Sequence, residues 1–199
     1  MKTHALALGM TALLAVTACN KTDGNANTNE AAQTPEAQKA AGNKTIAAGI
    51  AQNGRFVAAA KAAGLDQTLA GPGPYTVLVP ADAAFDKAPA GTFETKPENR
   101  AQLTGVLTNM ILPGTVLVAD IDKAIDAGKG KAVLATMGGG TLTATKEGGK
   151  TVLTDAAGNK AVITQGDQQF TNGVVHRVDA VLMPAKEGTA PAVGQKAGG

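Results

Sequence analysis

The chain contains no serine and no tryptophan, and Cys19 is its only cysteine. The chain therefore lacks a serine nucleophile, and its one cysteine is the only thiol that could pair with a histidine base. This argues against the catalytic triads of hydrolases. The chain has two histidines, His4 and His176, whereas zinc and iron sites usually take several His or Cys ligands. We expect no enzymatic activity, no cofactor and no transition-metal site.

Charge and aromatic side chains are also scarce. The formal net charge is +2, aromatic residues make up 3% of the chain, and the lysines are scattered without a basic block. A nucleic-acid partner is therefore not expected, because such proteins carry a concentrated basic footprint. After the N-terminus no apolar run is long enough for a transmembrane helix, which needs about 20 residues.

The N-terminal stretch "MKTHALALGMTALLAVTAC" has the composition of an export signal. Its end, "VTAC", resembles the bacterial lipobox, in which a lipidated cysteine becomes the mature N-terminus. We expect residues 1–18 to be removed, together with His4, and Cys19 to carry a lipid that anchors the protein to a membrane. An ordinary secretory signal that happens to contain a cysteine is the alternative. Either reading places the protein in the cell envelope, at the outer membrane or on a periplasmic or cell-surface face, or outside the cell.

Three further segments follow the export signal. Residues 19–43 contain no Val, Ile, Leu or aromatic residue and cannot form a core, so they are predicted to be a disordered tether. Residues 44–184 have the length of one folded domain, which we expect to be monomeric. Residues 185–199 are predicted to be a disordered tail.

The first half of the domain has helical patterns. Short helices are predicted over Ile46–Ala51 and Arg55–Ala63, the latter ended by Gly64. A strand, "YTVLVP" (75–80), is followed by a helical turn that Asp82 can cap.

A longer amphipathic helix is predicted over residues 95–111. Thr95 and Glu98 have capping-box spacing, and apolar residues recur from Leu103 to Ile111. Pro113-Gly114 ends this helix, and a shorter one is predicted over Ile121–Ala127, between Asp120 and Gly128.

The second half has strand patterns separated by glycine turns: "KAVLATM", "TLTATK", "KTVLTD" and "KAVITQ", followed by "GVVHRVDAVLMP". These predict an antiparallel meander with the helices on one side, which is an α+β domain. In the last strand His176 shares a face with Val174, Val178, Ala180 and Leu182. We expect a buried structural histidine rather than a catalytic base or a metal ligand, since no second ligand or catalytic residue accompanies it.

Two segments, "YTVLVPADAAFDKAP" and "TNGVVHRVDAVLMP", resemble in sequence and spacing the two signatures of the fasciclin (FAS1) domain. The resemblance covers about residues 44–184. It implies a β-sandwich or wedge of antiparallel strands with packed short helices, and a secreted or surface-anchored adhesion or matrix-binding module without enzymatic activity.

The resemblance also assigns residues. The signature positions are Pro80, Asp82, Phe85, Asn172, Gly173 and His176. It implies that His176 holds the final strand against the first-signature loop, and we expect it to hydrogen-bond to groups around Pro80 to Asp82. Many members have Tyr-His where this chain has Asn109-Met110, and adhesion-type members have Asp-Ile where it has Asp167-Gln168. These four residues mark the candidate adhesion surface.

Three function classes follow from the sequence. The first is a non-enzymatic, membrane-tethered extracytoplasmic interaction module that binds a surface protein or a polysaccharide. The second is a carrier of a small molecule or lipid in a groove between helices and sheet, which requires a dry cleft of several hundred Å³. The third is an enzyme, which the sequence supports least, because it offers few nucleophiles and few metal ligands.

Overall fold

The computed structural model describes residues 43–50 and 54–185. The predicted signal, Cys19, nearly all of the tether and the tail beyond Ala185 lie outside these residues. None of the described helices has the length and apolar character needed to cross a bilayer.

The domain has the predicted α+β composition. Its helices, counting from the N-terminus, are α1 (Ile46–Gly49), α2 (Gly54–Ala63), α3 (Asp66–Ala70), α4 (Asp82–Phe85), α5 (Arg100–Asn109) and α6 (Val118–Ala127), with a 3₁₀ turn at Pro97–Asn99. Its strands are β1 (Tyr75–Pro80), β2 (Ile111–Pro113), β3 (Lys131–Ala135), β4 (Thr141–Glu147), β5 (Lys150–Thr154), β6 (Lys160–Phe170) and β7 (Gly173–Val178).

The strands form one seven-stranded sheet in the order β2-β1-β7-β6-β5-β4-β3. Strands β3 to β7 form the predicted antiparallel meander, but β1 pairs in parallel with β7, opposite Gly173 to Val178. The antiparallel strands predicted for the second half are therefore joined to β1 by one parallel pair, which the sequence did not indicate. Just after β3, the Met137 N–H donates to the carbonyl oxygen of Ile111 in β2 at 2.7 Å, so the two edge strands come together and the sheet curls almost closed.

The long helix is shorter than predicted at both ends. Lys96 is extended (φ −74°, ψ 146°), as residues before a proline prefer, so the helix cannot begin at Thr95. The predicted capping box is consequently absent, and α5 begins at Arg100 with no side-chain cap. At the other end Ile111 belongs to β2 and pairs with Val77 of β1, where its apolar side chain is buried.

Two further helix starts differ from prediction. Ala81, not Asp82, occupies the N-cap of α4, and no side chain caps that helix. Helix α6 begins at Val118, one turn before the predicted Ile121, with the Leu117 N–H donating to the Asp120 carboxylate at 3.4 Å. Gly64 ends α2 as predicted: its φ is +79°, and the next residue's N–H bonds back into the last turn.

The core lies between the curled sheet and the helices. Helix α2 packs on α5, while α6 contacts β3, β4 and β5 and buries Ile121 and Ile125. The largest fully buried side chains are Phe56, Ile46, Ile50, Leu78, Leu103, Leu107, Met110, Ile111, Leu112, Ile121, Ile125 and Leu142.

Candidate functional site

His176 is fully buried on β7, opposite Leu78 of the parallel strand. Within the strand it shares a face with Val174 and Val178, as predicted. The strand ends at Val178, however, so Ala180 and Leu182 are not part of that face.

Both nitrogens of the His176 ring have backbone partners. Nε2 lies 2.8 Å from the Val116 carbonyl oxygen, and Nδ1 accepts from the Asp167 N–H at 3.0 Å. The expected partners around Pro80 to Asp82 are therefore wrong. The ring points instead to the segment before α6 and to the irregular part of β6, where Asp167 has a φ of +57°.

These partners define the state of the ring. Because Nδ1 accepts a hydrogen bond, it carries no proton, and Nε2 holds the proton that it donates to Val116. Burial lowers the pKa of His176, an effect opposed by the Val116 carbonyl and by the Asp167 carboxylate, whose Oδ1 lies 3.9 Å from Nδ1. A neutral ring with both nitrogens engaged has no free atom to act as a base or a metal ligand.

Asn172 joins three segments that are distant in sequence. Its Oδ1 accepts from the Ile46 N–H at 2.8 Å, and its Nδ2 donates to the carbonyl oxygens of Leu69 at 2.9 Å and Gly71 at 2.8 Å. Its own carbonyl accepts from the Tyr75 N–H at 3.0 Å. Asn172 therefore ties α1, the end of α3 and β1 to the β6–β7 turn.

Gly173 permits the close approach of β7 to β1 that this junction requires. Its φ is +147°, and a Cβ there would overlap the Tyr75 carbonyl oxygen. A side chain at this position would meet both backbone strain and a steric clash.

The residues of the first signature lie at the other end of β1. Pro80 ends the strand opposite Val178, and Phe85 is buried with an edge-on contact to Phe93 at 4.6 Å between ring centres. Burial lowers the pKa of Arg177, and the Asp82 carboxylate opposes that shift. These positions stabilise the strand end and bring no reactive cluster together.

The four residues of the candidate adhesion surface do not form one surface. Asn109 is 2% exposed and Met110 is 0% exposed, which contradicts their predicted presentation to a partner. They are buried because α5 ends beneath the β3–β4 turn, where Thr136 donates to the Asn109 Oδ1 at 3.3 Å. Asp167 and Gln168 are half-buried on β6, and Asp167 accepts from the Val118 N–H at 2.9 Å.

An open cleft of about 680 Å³ lies at the Asn172 end of the domain. Its walls are the 70–74 loop, Thr115 and Leu117 before α6, and the β6–β7 hairpin from Gln169 to Val174. Sequence reasoning did not find this cleft, because its walls come from four segments, including Thr45, that no local pattern connects. Within residues 43–50 and 54–185, no three His, Cys, Asp or Glu side chains cluster in a way that could hold a metal ion.

The geometry defines an α+β domain whose buried histidine and asparagine are engaged in internal hydrogen bonds. The Fasciclin domain profile matches residues 52–184, and the chain belongs to the fasciclin domain family. This confirms the resemblance drawn from the two signature segments.

Relatives and a solved structure agree with that assignment. Protein sll1483 of Synechocystis sp. is 34% identical over 148 residues, which are 73% of this chain and 71% of the relative. The cell surface glycolipoprotein MPB83 of Mycobacterium bovis is 30% identical over 112 residues, or 56% of this chain and 44% of that protein. A FAS1 domain pair from the insect cell adhesion molecule Fasciclin I superposes with a TM-score of 0.62 at 16% identity, covering 71% of this chain and 51% of that one.

Proposed function

We propose that this protein is a lipid-anchored, extracytoplasmic interaction module that acts by binding, in adhesion or in surface or matrix association. The observation that carries this proposal is the engagement of His176. Both of its ring nitrogens are held by backbone groups of the fold, so the one histidine of the described residues has no free nitrogen for proton transfer. Binding without turnover is the activity that suits such a domain.

Two observations support the lipid anchor. Cys19 follows a small-residue run that ends an apolar export signal, and a tether without core-forming residues follows it. A 30% identical relative is named a cell surface glycolipoprotein. Stable anchoring requires more than one acyl chain, because a single chain binds a membrane only marginally.

The anchor is tested by comparing the parent with Cys19→Ala, and with Thr28→Ala in the tether as a matched control. The parent and Thr28→Ala should partition with membranes, whereas Cys19→Ala should be recovered in the soluble envelope fraction. Mass spectrometry of the parent should find an acylated N-terminal cysteine. An unmodified N-terminus elsewhere in the chain, or a Cys19→Ala protein that stays with membranes, would contradict the anchor.

The binding role is tested separately, by capturing envelope components with the full chain and comparing protein, polysaccharide and lipid fractions. We expect enrichment in the protein or polysaccharide fraction. Enrichment in the lipid fraction alone would instead favour a carrier. The apolar cavity beside Ile50, Val57 and Leu69 is only about 50 Å³, which is too small for a lipid chain, and the larger cleft beside Asn172 is open to solvent rather than enclosed.

A further inference from the structure

The cleft beside Asn172 has the size and the fixed walls of a ligand site. Its volume of about 680 Å³ falls within the roughly 300–1,000 Å³ of small-molecule sites. The three side-chain hydrogen bonds of Asn172 and the close packing of Gly173 on Tyr75 hold its walls together. A site formed before the ligand arrives has less ordering cost on binding.

The lining residues favour an uncharged ligand. None of them is Asp, Glu, Lys, Arg or His, so a charged group bound there would lose hydration without gaining an ionic partner. Exposed apolar surface comes from Pro72 and Pro74, with half-buried Leu117 beside them, while Phe170 lines the cleft but is 7% exposed. The site therefore suits a neutral molecule with an apolar face.

The rim supplies hydrogen-bonding groups. Thr115 and Gln169 are exposed, and within the described part of the chain the structure shows no hydrogen bond from either side chain. A hydroxyl and an amide each donate and accept, which matches the hydroxyl groups of a sugar. We infer that the cleft binds a segment of an uncharged polysaccharide, with apolar C–H faces on the prolines and hydroxyl groups at Thr115 and Gln169.

The backbone of the cleft disfavours the other neutral chain, an extended peptide. Peptides that add to a sheet need unpaired N–H and C=O groups. Here the Tyr75 N–H donates to Asn172, the Gly114 N–H to Pro74 and the Thr171 N–H to the Lys44 carbonyl, all at 2.9 to 3.0 Å. Pro72 and Pro74 have no N–H to offer.

The position of the cleft is compatible with a tethered protein. Thr45 forms part of its wall, so the predicted tether leaves the domain beside the cleft.

The test is a titration of the full chain, followed by NMR or calorimetry, with cellotetraose and maltotetraose as neutral probes. Tetragalacturonate is the charged probe and tetraproline the peptide probe. We expect saturable binding of at least one neutral tetrasaccharide and weaker binding of the other two classes. Gln169→Ala and Thr115→Val should each weaken binding about fivefold, the effect of one neutral hydrogen bond. The matched surface controls Gln102→Ala and Thr141→Val should bind like the parent.

Several results would overturn the inference: no saturable binding of either neutral sugar, preferred binding of tetragalacturonate or tetraproline, or binding that the two cleft substitutions leave unchanged. The inference rests on the proposed binding function, but the two can fail separately. If no neutral sugar binds at the cleft but the Gln169→Ala, Thr115→Val double variant captures envelope components like the parent, the cleft assignment fails and the interaction function stands. If neither protein captures anything and the sugars still bind at the cleft, the interaction role fails instead.

Discussion

The buried, neutral His176 should make the domain sensitive to acid. Since its folded-state pKa is lowered, the unfolded chain takes up a proton first, near the ordinary value of 6.5. The stabilisation is complete above that value and is lost as the pH falls from there towards the folded-state pKa. Between pH 7.5 and 5.5 the histidine should lose up to about 1.4 kcal/mol of its contribution to the free energy of unfolding.

The reference for this experiment is His176→Ala, which removes the two hydrogen bonds and leaves a cavity. At pH 7.5 we expect it to be about 2 to 4 kcal/mol less stable than the parent. Urea unfolding followed by circular dichroism suits a chain without tryptophan. Carboxylate titrations that both proteins share cancel in the difference between their free energies of unfolding. Because only the parent loses the contribution of His176, this difference should be smaller at pH 5.5 than at pH 7.5.

A second variant tests the cause of the narrowing. Asp167→Asn keeps the oxygen that accepts from the Val118 N–H but removes the carboxylate that favours a charged ring. The folded-state pKa of His176 should fall further, so the loss of stability should continue to lower pH than in the parent. A gap between parent and His176→Ala that stays constant or widens on acidification would refute a neutral ring in the folded state.

Three other substitutions have expected outcomes, all measurable by the same unfolding assay. Asn172→Ala should lower the free energy of unfolding by about 3 to 5 kcal/mol, because it leaves a buried N–H and two carbonyls without their partner. The control Asn43→Ala, at an exposed position, should change it little. A loss below about 1 kcal/mol for Asn172→Ala would contradict the role of the junction. Gly173→Ala should lower the free energy of unfolding by at least about 3 kcal/mol. Gly114→Ala should lower it by about 1 to 2 kcal/mol, because Gly114 also has a positive φ but has open space around it. Equal losses would show that the clash with Tyr75 is relieved. Asp122→Asn should cost less than about 1 kcal/mol, since its pair with Lys146 is partly exposed, and a larger loss would show that the pair is better shielded than its exposure indicates.

Local patterns in the sequence were sufficient for most elements of the fold. Strand alternation placed His176 on a face with Val174 and Val178, and Gly64 marked the end of its helix because only a residue tolerant of positive φ suits that position. The parallel pair was not predictable in this way. It joins Tyr75 to Gly173, almost a hundred residues apart, and parallel strands have no connecting turn whose sequence would reveal them.

The partners of His176 show why the candidate site was harder to predict than the fold. The resemblance pointed to Pro80 and Asp82, and β1 is indeed the neighbour of β7, but a neighbouring strand bonds through its backbone and leaves the side-chain direction open. The ring projects from one face of the sheet, so its partners come from the segments that pack against that face. Here those partners are a carbonyl at Val116 and the N–H of Asp167, a non-glycine residue with positive φ whose conformation no sequence pattern indicated. Asn172 presents the same difficulty, because its side chain bonds only to backbone groups. Nearly every residue has the same backbone N–H and C=O groups, so the sequence does not indicate which of them act as partners. The positions that hold this domain together are therefore recognisable by residue type, whereas their partners follow only from the three-dimensional arrangement.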